Sequence, residues 1–274
     1  MYSVVILTLN EAQDLPDCLG SINGSDDIHL LDSGSVDETI PIAESFGARV
    51  TSHAFESFAK QRNWAMKNLP LKYNWIFFLD ADERMTSDFS SAIDEVLVQA
   101  DEGLVGFYCC WKMMLEDRWL KRSDNFPKWQ LRLCRKGRVT FMDHGHGQKE
   151  GRISGKLDYI REPYTHFAFS KGWSAWLERH NRYADKEALV REDSNVRIRD
   201  AFTRVGSQRN IALKVILTKL PGWPLLRFLY TYFIRLGFIE GIPGFVYCVN
   251  MAYFEFLIKL KMRENRRKKD QECE

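Results

Sequence analysis

Net charge is nearly absent from this chain: 39 lysines and arginines meet 37 acids over 274 residues, and the balance of +2 carries no message about a polyanionic partner. Nucleic-acid binding is not expected. The six cysteines show no CxxC spacing, which excludes a zinc ribbon or a disulfide framework and suits a reducing compartment. The opening residues lack the basic flank and cleavage site of a secretory signal, so a cytosolic or cytosol-facing location is expected. The longest stretch without charge, Gly241 to Phe254, is bounded by Glu240 and Glu255 and is too short for a transmembrane helix. Neither a P-loop nor a GxGxxG fingerprint occurs. What is present is an ordinary globular balance, 45% hydrophobic and 28% charged, in a chain long enough for one large domain or a domain with an appendage.

The pattern alternates strands and helices. Ser3 to Leu9 is apolar and β-branched, and turns polar at Asn10-Glu11. Leu15, Cys18, Leu19 and Ile22 then share a helical face. A short strand, Ile28 to Leu31, ends in Asp32-Ser33-Gly34-Ser35-Val36-Asp37, and a helix capped by Ser35 or Asp37 runs to Phe46 before Gly47. A third strand is read at Arg49 to Thr51 and a third helix at Phe58 to Asn68. The aromatic run Trp75 to Leu79 reads as a buried strand closing on Asp80-Ala81-Asp82-Glu83. Such alternation implies a parallel, doubly wound sheet, with ligands outside the carboxyl ends of the strands. Acids gathered there (Glu11, Asp32, Asp37, Asp80, Asp82) repel one another unless a ligand or metal joins them. Taken singly, Asp32 also suits an Asx turn, Asp37 a helix cap, and Lys60 with Arg62 a solvated helix face.

Thr8-Leu9-Asn10-Glu11, Asp32 to Asp37, Lys60-Gln61-Arg62-Asn63 and Leu79 to Glu83 together resemble a family 2 glycosyltransferase in order and spacing over about the first 100 residues. Within that family the chain resembles β-glucosyltransferases of lipopolysaccharide core or lipid-linked glycan assembly. The resemblance implies a GT-A fold, Rossmann-like and mostly parallel, with a C-terminal helical, membrane-interface extension. It implies a nucleotide-sugar pocket formed by Thr8, Leu9, Asn10, Glu11, Asp32, Ser33, Gly34, Lys60, Arg62, Asn63, Asp80 and Ala81, with Asp32 reading the uracil. It further implies a divalent cation, Mg2+ or Mn2+, held by Asp82 with Asp80 nearby and His166 as a third candidate. The donor would be a UDP-sugar, the acceptor a lipid-linked or lipopolysaccharide glycan, and the outcome inversion.

An inverting transferase needs a base on the face of the sugar opposite the leaving group. The strand-like segment Trp129 to Gly137 leads to Asp143-His144-Gly145-His146-Gly147-Gln148-Lys149-Glu150-Gly151, whose glycines suggest a mobile acceptor loop. Glu150 aligns with the family's glutamate, but Lys149 precedes it and the histidines sit upstream, so Asp143 and His146 remain competitors. A zinc reading of His144-x-His146 lacks a third ligand. Downstream, Trp173 and Trp176 share a helix face, fitting either core or sugar stacking, and His180 and Arg182 are weaker candidates.

From Pro221-Gly222-Trp223-Pro224 onward the chain is crowded with Leu, Phe, Tyr and Ile, and carries Arg227, Arg235, Lys259 and Lys261. This fits helices lying in a membrane interface, and the resemblance to lipopolysaccharide-core enzymes implies the cytoplasmic face of a bacterial inner membrane. The end, residues 263–274, reads as frayed. The expected division is a catalytic region 1–185, with halves 1–103 and 104–185, and a helical region 186–274 that associates with membrane from about 221. Self-association is left open by the sequence. The rival readings are a membrane scaffold built on an inactive domain and an Asp-x-Asp phosphatase, although Arg84 stands where that phosphatase needs Thr or Val.

Overall fold

The computed structural model describes residues 1–193, 217–218, 220 and 222–272. The chain-breaking Pro221 and the sixth cysteine, Cys273, lie outside the described residues. Contacts divide the chain into two compact units, residues 1–121 with 126–172, and residues 122–125 with 173–274.

The first unit opens with β1 (Ser3–Thr8), α1 (Leu15–Gly20), β2 (Ile28–Asp32), α2 (Thr39–Ser45), β3 (Arg49–Ser52), α3 (Phe58–Asn68) and β4 (Trp75–Asp80). It continues through β5 (Glu83–Arg84), α4 (Ser87–Gln99), β6 (Leu104–Cys109), β7 (Trp111–Leu115), β8 (Arg118–Trp119) and β9 (Gln130–Arg135). The last strands are β10 (Val139–His144), β11 (Gly147–Ile153), β12 (Lys156–Tyr159) and β13 (Tyr164–His166). The main sheet runs β12-β6-β9-β4-β1-β2-β3. β1, β2, β3 and β4 are parallel, as the alternation predicts, but β9 inserts antiparallel between β4 and β6. That central place explains why β9 is not half-exposed: Leu131, Arg132, Leu133 and Cys134 are all buried. A smaller sheet, β5-β13-β7-β8, brings the end of β4 next to β13.

The helix start and stop signals act locally. The Ser57 hydroxyl accepts from the Lys60 amide to open α3, and the Thr86 hydroxyl accepts from the Phe89 amide to open α4. α2 starts at Thr39, later than the capping pattern predicts, because Asp37 accepts from the amide and hydroxyl of Thr39 and keeps the preceding residues in a turn. α3 lays Ala65 and Met66 on Ile76, Phe78 and Phe141. On the other face Phe77, Phe89 and Tyr164 meet ring to ring at 5.2–6.2 Å. Emptying one such aromatic site costs about 3–5 kcal/mol, so β4 is anchored from both sides.

The second unit holds α5 (Gly172–Asp193), α6 (Trp223–Leu229) and α7 (Gly241–Glu272). α5 and α7 share a core of Ala184, Ala188, Phe254, Ile258 and Met262. Trp176 is buried and stacks on His180 at 3.6 Å, which places both in packing. The two acids that bound the uncharged run point inward. Glu240 accepts from the amides of Arg122 and Ser123, and Glu255 is paired with Arg191 at 2.7 Å. α7 therefore continues unbroken for 32 residues. With the turn before it, the span Gly237–Gln271 is long and apolar enough to cross a membrane by length and composition, beyond what the uncharged run suggests.

Candidate active site

The carboxyl ends of β2, β1 and β4 open side by side, with Thr8 in register with Asp32 and Leu7 with Asp80. At β2, Asp32 is fully buried. Its carboxylate accepts from Thr8 Oγ1 at 3.0 Å, Ser35 Oγ at 2.5 Å, and the amides of Gly34 and Ser35 at 2.9 and 2.8 Å. Burial alone raises such a carboxyl, but these donors outweigh it and hold Asp32 below its usual range. Gly34 sits at φ +99°, a conformation the turn needs and that glycine adopts without strain. Asn10 ties β1 to the same loop: its amide donates to Ser35 Oγ, and its Oδ1 accepts from the Val36 amide. Asn tolerates the left-handed φ of +55° found there. Ser33 Oγ accepts from Gln61 Nε2 at 3.0 Å.

At β4, Asp80 is held by two arginines. Arg62 Nη2 donates to one oxygen at 3.1 Å and Arg132 Nη2 to the other at 2.7 Å. Arg132 also reaches Glu83 at 2.8 Å, and Glu83 accepts in addition from the Asp80 amide and the Tyr164 hydroxyl. Burial works against the charge on Asp80, yet the two arginines hold its carboxyl well below the usual range. For Glu83 burial prevails over Arg132 and pushes the carboxyl up.

Asp82 meets an imidazole. β13 pairs with β5 so that His166 lies opposite Glu83, and His166 Nε2 stands 3.3 Å from Asp82 Oδ2. Both side chains are partly open, 17% for Asp82 and 19% for His166. Burial lowers the His166 pKa, but the Asp82 carboxylate outweighs it and the net shift is upward. Among the described residues no three His, Cys, Asp or Glu side chains form a ready metal cage. Asp82 and His166 offer one carboxylate and one imidazole, whereas both oxygens of Asp80 are taken by arginines.

Glu11 meets Lys171, whose Nζ is 2.8 Å from its carboxylate and 2.7 Å from the Asn10 carbonyl. The rim acids are thus joined by the protein's own cations and amides, and their proximity does not by itself require a ligand. Of the expected phosphate cations, Arg62 is buried on Asp80 and Lys60 is exposed and paired with Glu56 at 2.5 Å. Asn63 clamps β10, its amide group bonding both the carbonyl and the N–H of Phe141. Leu9 is exposed, and Ala81 is buried with its carbonyl accepting from Arg84.

The glycine-rich segment read as a mobile loop is a β-hairpin, β10 on β11, in which Glu150 faces Phe141 and Asp143 faces Gln148. Glu150 is half-buried and accepts from the Tyr108 hydroxyl, which burial first and Glu150 second push up to about 12. Asp143 is exposed, and His146 lies in the turn. Sequence reasoning passed over Arg132, Glu83, Tyr108, Tyr164 and Lys171. The one available signal was Arg132 itself, a cation between Leu131 and Leu133 in a buried strand, which demands an acid.

A family model for glycosyl transferase family 2 matches residues 3–148, more than half of the chain. The chain belongs to that family. An uncharacterised glycosyltransferase of Rickettsia bellii is 25% identical over 96% of this chain and 86% of its own length. A lipopolysaccharide core biosynthesis glycosyltransferase of Rhizobium meliloti, LpsC, is 25% identical over 95% of this chain and 91% of its own length. The mannosyltransferase PcManGT of Pyrobaculum calidifontis, solved with GDP-Man and Mn2+, superposes with a TM-score of 0.50 at 14% identity, covering 95% of this chain and 86% of that one. The fold is the GT-A-like α/β fold with a C-terminal helix.

Proposed function

We propose that this family 2 glycosyltransferase is an inverting, metal-dependent hexosyltransferase that moves a hexose from a UDP-sugar to a lipid-linked or lipopolysaccharide-core glycan. The observation that carries the reading is the pair Asp82 Oδ2 and His166 Nε2, 3.3 Å apart at the carboxyl edge of the sheet. A carboxylate oxygen and an imidazole nitrogen side by side suit Mn2+ or Mg2+, and the two side chains are open enough to accept one. A divalent cation bound there supplies charge neutralisation to a departing diphosphate. Asp80, fixed by Arg62 and Arg132, keeps the turn rigid and leaves the metal role to Asp82. The Thr8 to Glu11 segment and the Ser33-Gly34 loop, braced from below by Asp32, form the nucleoside side of the pocket.

Glu150 takes the proton from the acceptor hydroxyl while that oxygen bonds to the anomeric carbon. The bond from that carbon to UDP breaks, UDP leaves with the electron pair, and the configuration inverts. Glu150 is favoured over Asp143 and His146 because Tyr108 holds it against the sheet. Residues 1–185 form the catalytic region in this reading, donor half 1–103 and acceptor half 104–185, with a helical region 186–274. The lipopolysaccharide assignment draws on the Rhizobium relative. A place on the cytoplasmic face of a bacterial inner membrane draws on an exposed apolar stripe of α7, comprising Ile242, Phe245, Val249, Tyr253, Phe256 and Leu260. Calorimetry of UDP with and without Mn2+, followed by a UDP-sugar panel scored for hydrolysis and transfer, tests the reading. Metal-dependent UDP binding is expected, and absence of UDP binding under both conditions overturns the reading.

A further inference from the structure

A cleft of about 510 Å³ opens in the first unit, lined by Cys110, Phe126, Pro127, Trp129, Tyr159 and Arg161. That volume holds a sugar ring or two. Its walls are aromatic in a way that packing does not require: Trp129 is 36% exposed and Tyr159 49%. The two rings meet edge to face at 4.9 Å, and both keep exposed surface lining the cleft. The fold sets them there. β12 pairs parallel with β6 so that Tyr159 falls beside Tyr108, and the two rings stack at 5.1 Å. Tyr108 in turn donates to Glu150. An unbroken line of contacts therefore runs from the cleft to the carboxylate argued above to accept the proton. Arg161 is exposed on the wall and makes no ion pair among the described residues.

We infer that this cleft binds the acceptor glycan, a pyranose packing its C–H groups into the corner formed by Trp129 and Tyr159 while Arg161 pairs with an anionic substituent, a phosphate or a carboxylate. Exposed aromatic rings take sugar C–H groups through dispersion and the negative ring face. A free guanidinium binds either anion bidentately. The inference rests on the transferase reading for the word acceptor. The geometry of aromatic rings and arginine carries the sugar and its charge. Tyr108, engaging Glu150 and Tyr159 together, becomes a positioning residue that couples the filled cleft to the base.

Saturation-transfer NMR and calorimetry on the full chain, with methyl glucoside, glucose 6-phosphate and glucuronic acid as probes, provide the test. Both charged sugars, or one of them, should bind at least fivefold more tightly than methyl glucoside, and which one does so names the substituent. Trp129→Ala should weaken every sugar at least tenfold. Arg161→Ala should remove the preference for charge, and Arg161→Lys should restore part of it. UDP titration in Mn2+ runs alongside as the measure of folding and of the donor site. Wild-type protein that binds UDP but no sugar, or sugar binding indifferent to Trp129→Ala and Arg161→Ala, overturns the cleft and leaves the donor site standing. Sugar binding as described without UDP binding supports the cleft as a saccharide site and overturns the transferase reading instead.

Discussion

Arg132 on β9 donates to Asp80 on β4 at 2.7 Å, across a strand pair buried in the middle of the sheet. The same nitrogen reaches Glu83 at 2.8 Å. One guanidinium thus compensates two acids at the point where the pocket begins. Arg132→Leu would leave both acids inside without it. We expect a loss of about 3–5 kcal/mol, the cost of breaking a buried pair by removing one partner, read as the shift in a urea unfolding curve. A change below about 1 kcal/mol would mean that Arg62 alone suffices for Asp80.

The same pair marks how far the sequence could be read. β1, α3 and β4 were legible because each is set by a local apolar period or a cap, and the acidic ends followed from strand order. The partners of those acids were not. Arg132 lies 52 residues from Asp80, and Tyr164 lies 81 residues from Glu83. Strand insertion and the return of β13 create those meetings, and no local pattern encodes either. The hairpin at Glu150 was misread for a different reason. Its glycines suggested looseness, whereas Gly151 makes room for the close approach of Thr140, whose Oγ1 would lie 2.8 Å from any added Cβ.

Glu11 gives a pH dependence. Burial pushes its carboxyl from the ordinary 4.5 up to about 7, against the opposing pull of Lys171. Between those values the folded chain binds a proton that the unfolded chain has released, so stability falls as pH rises. This contribution is fully present below 4.5 and lost as pH passes through about 7. Thermal melts of wild type and Glu11→Gln should diverge across that window, by at most about 1.4 kcal/mol per pH unit. Curves that stay parallel would show that Glu11 titrates as an ordinary carboxyl.

Asp82 and His166 separate metal binding from stability. Both are partly open, so Asp82→Asn should change stability by less than about 1 kcal/mol, and His166→Asn, which keeps a side chain beside Trp111, by no more than about 2 kcal/mol. Each should weaken UDP binding in Mn2+ by tenfold or more, about 1.4 kcal/mol, and leave metal-free binding alone. Calorimetry at matched ionic strength reads both effects. Equal losses with and without Mn2+ would move these residues from the metal to the nucleotide.

Glu150→Gln preserves shape and the hydrogen bond from Tyr108 but removes the proton acceptor. If Glu150 is the base, transfer should fall by about 100- to 10,000-fold, with UDP binding retained. Near-normal transfer would shift the role to Asp143 or His146, which the corresponding Asp143→Asn and His146→Ala variants would then distinguish.

The exposed stripe of α7 recurs at intervals of three and four residues from Ile242 to Leu260, while the two nearby acids, Glu240 and Glu255, are buried in the unit's interior. A soluble helix would carry its charges outward and its apolar residues inward. Here the two acids that interrupt the apolar sequence are engaged inside, Glu240 by hydrogen bonds from Ser123 and Glu255 by the charge of Arg191, leaving an outer face that is continuous and apolar. Ile242→Glu with Phe256→Glu touches neither those internal pairs nor the ring cluster of Phe228, Tyr232 and Phe245, so the fold should survive. Sedimentation with anionic vesicles should drop at least fivefold for the double variant, and more at high salt if basic residues such as Arg235 and Lys259 contribute. Unchanged sedimentation would mean that the stripe meets another protein surface, and a concentration-dependent mass in light scattering would then identify a second copy of this chain.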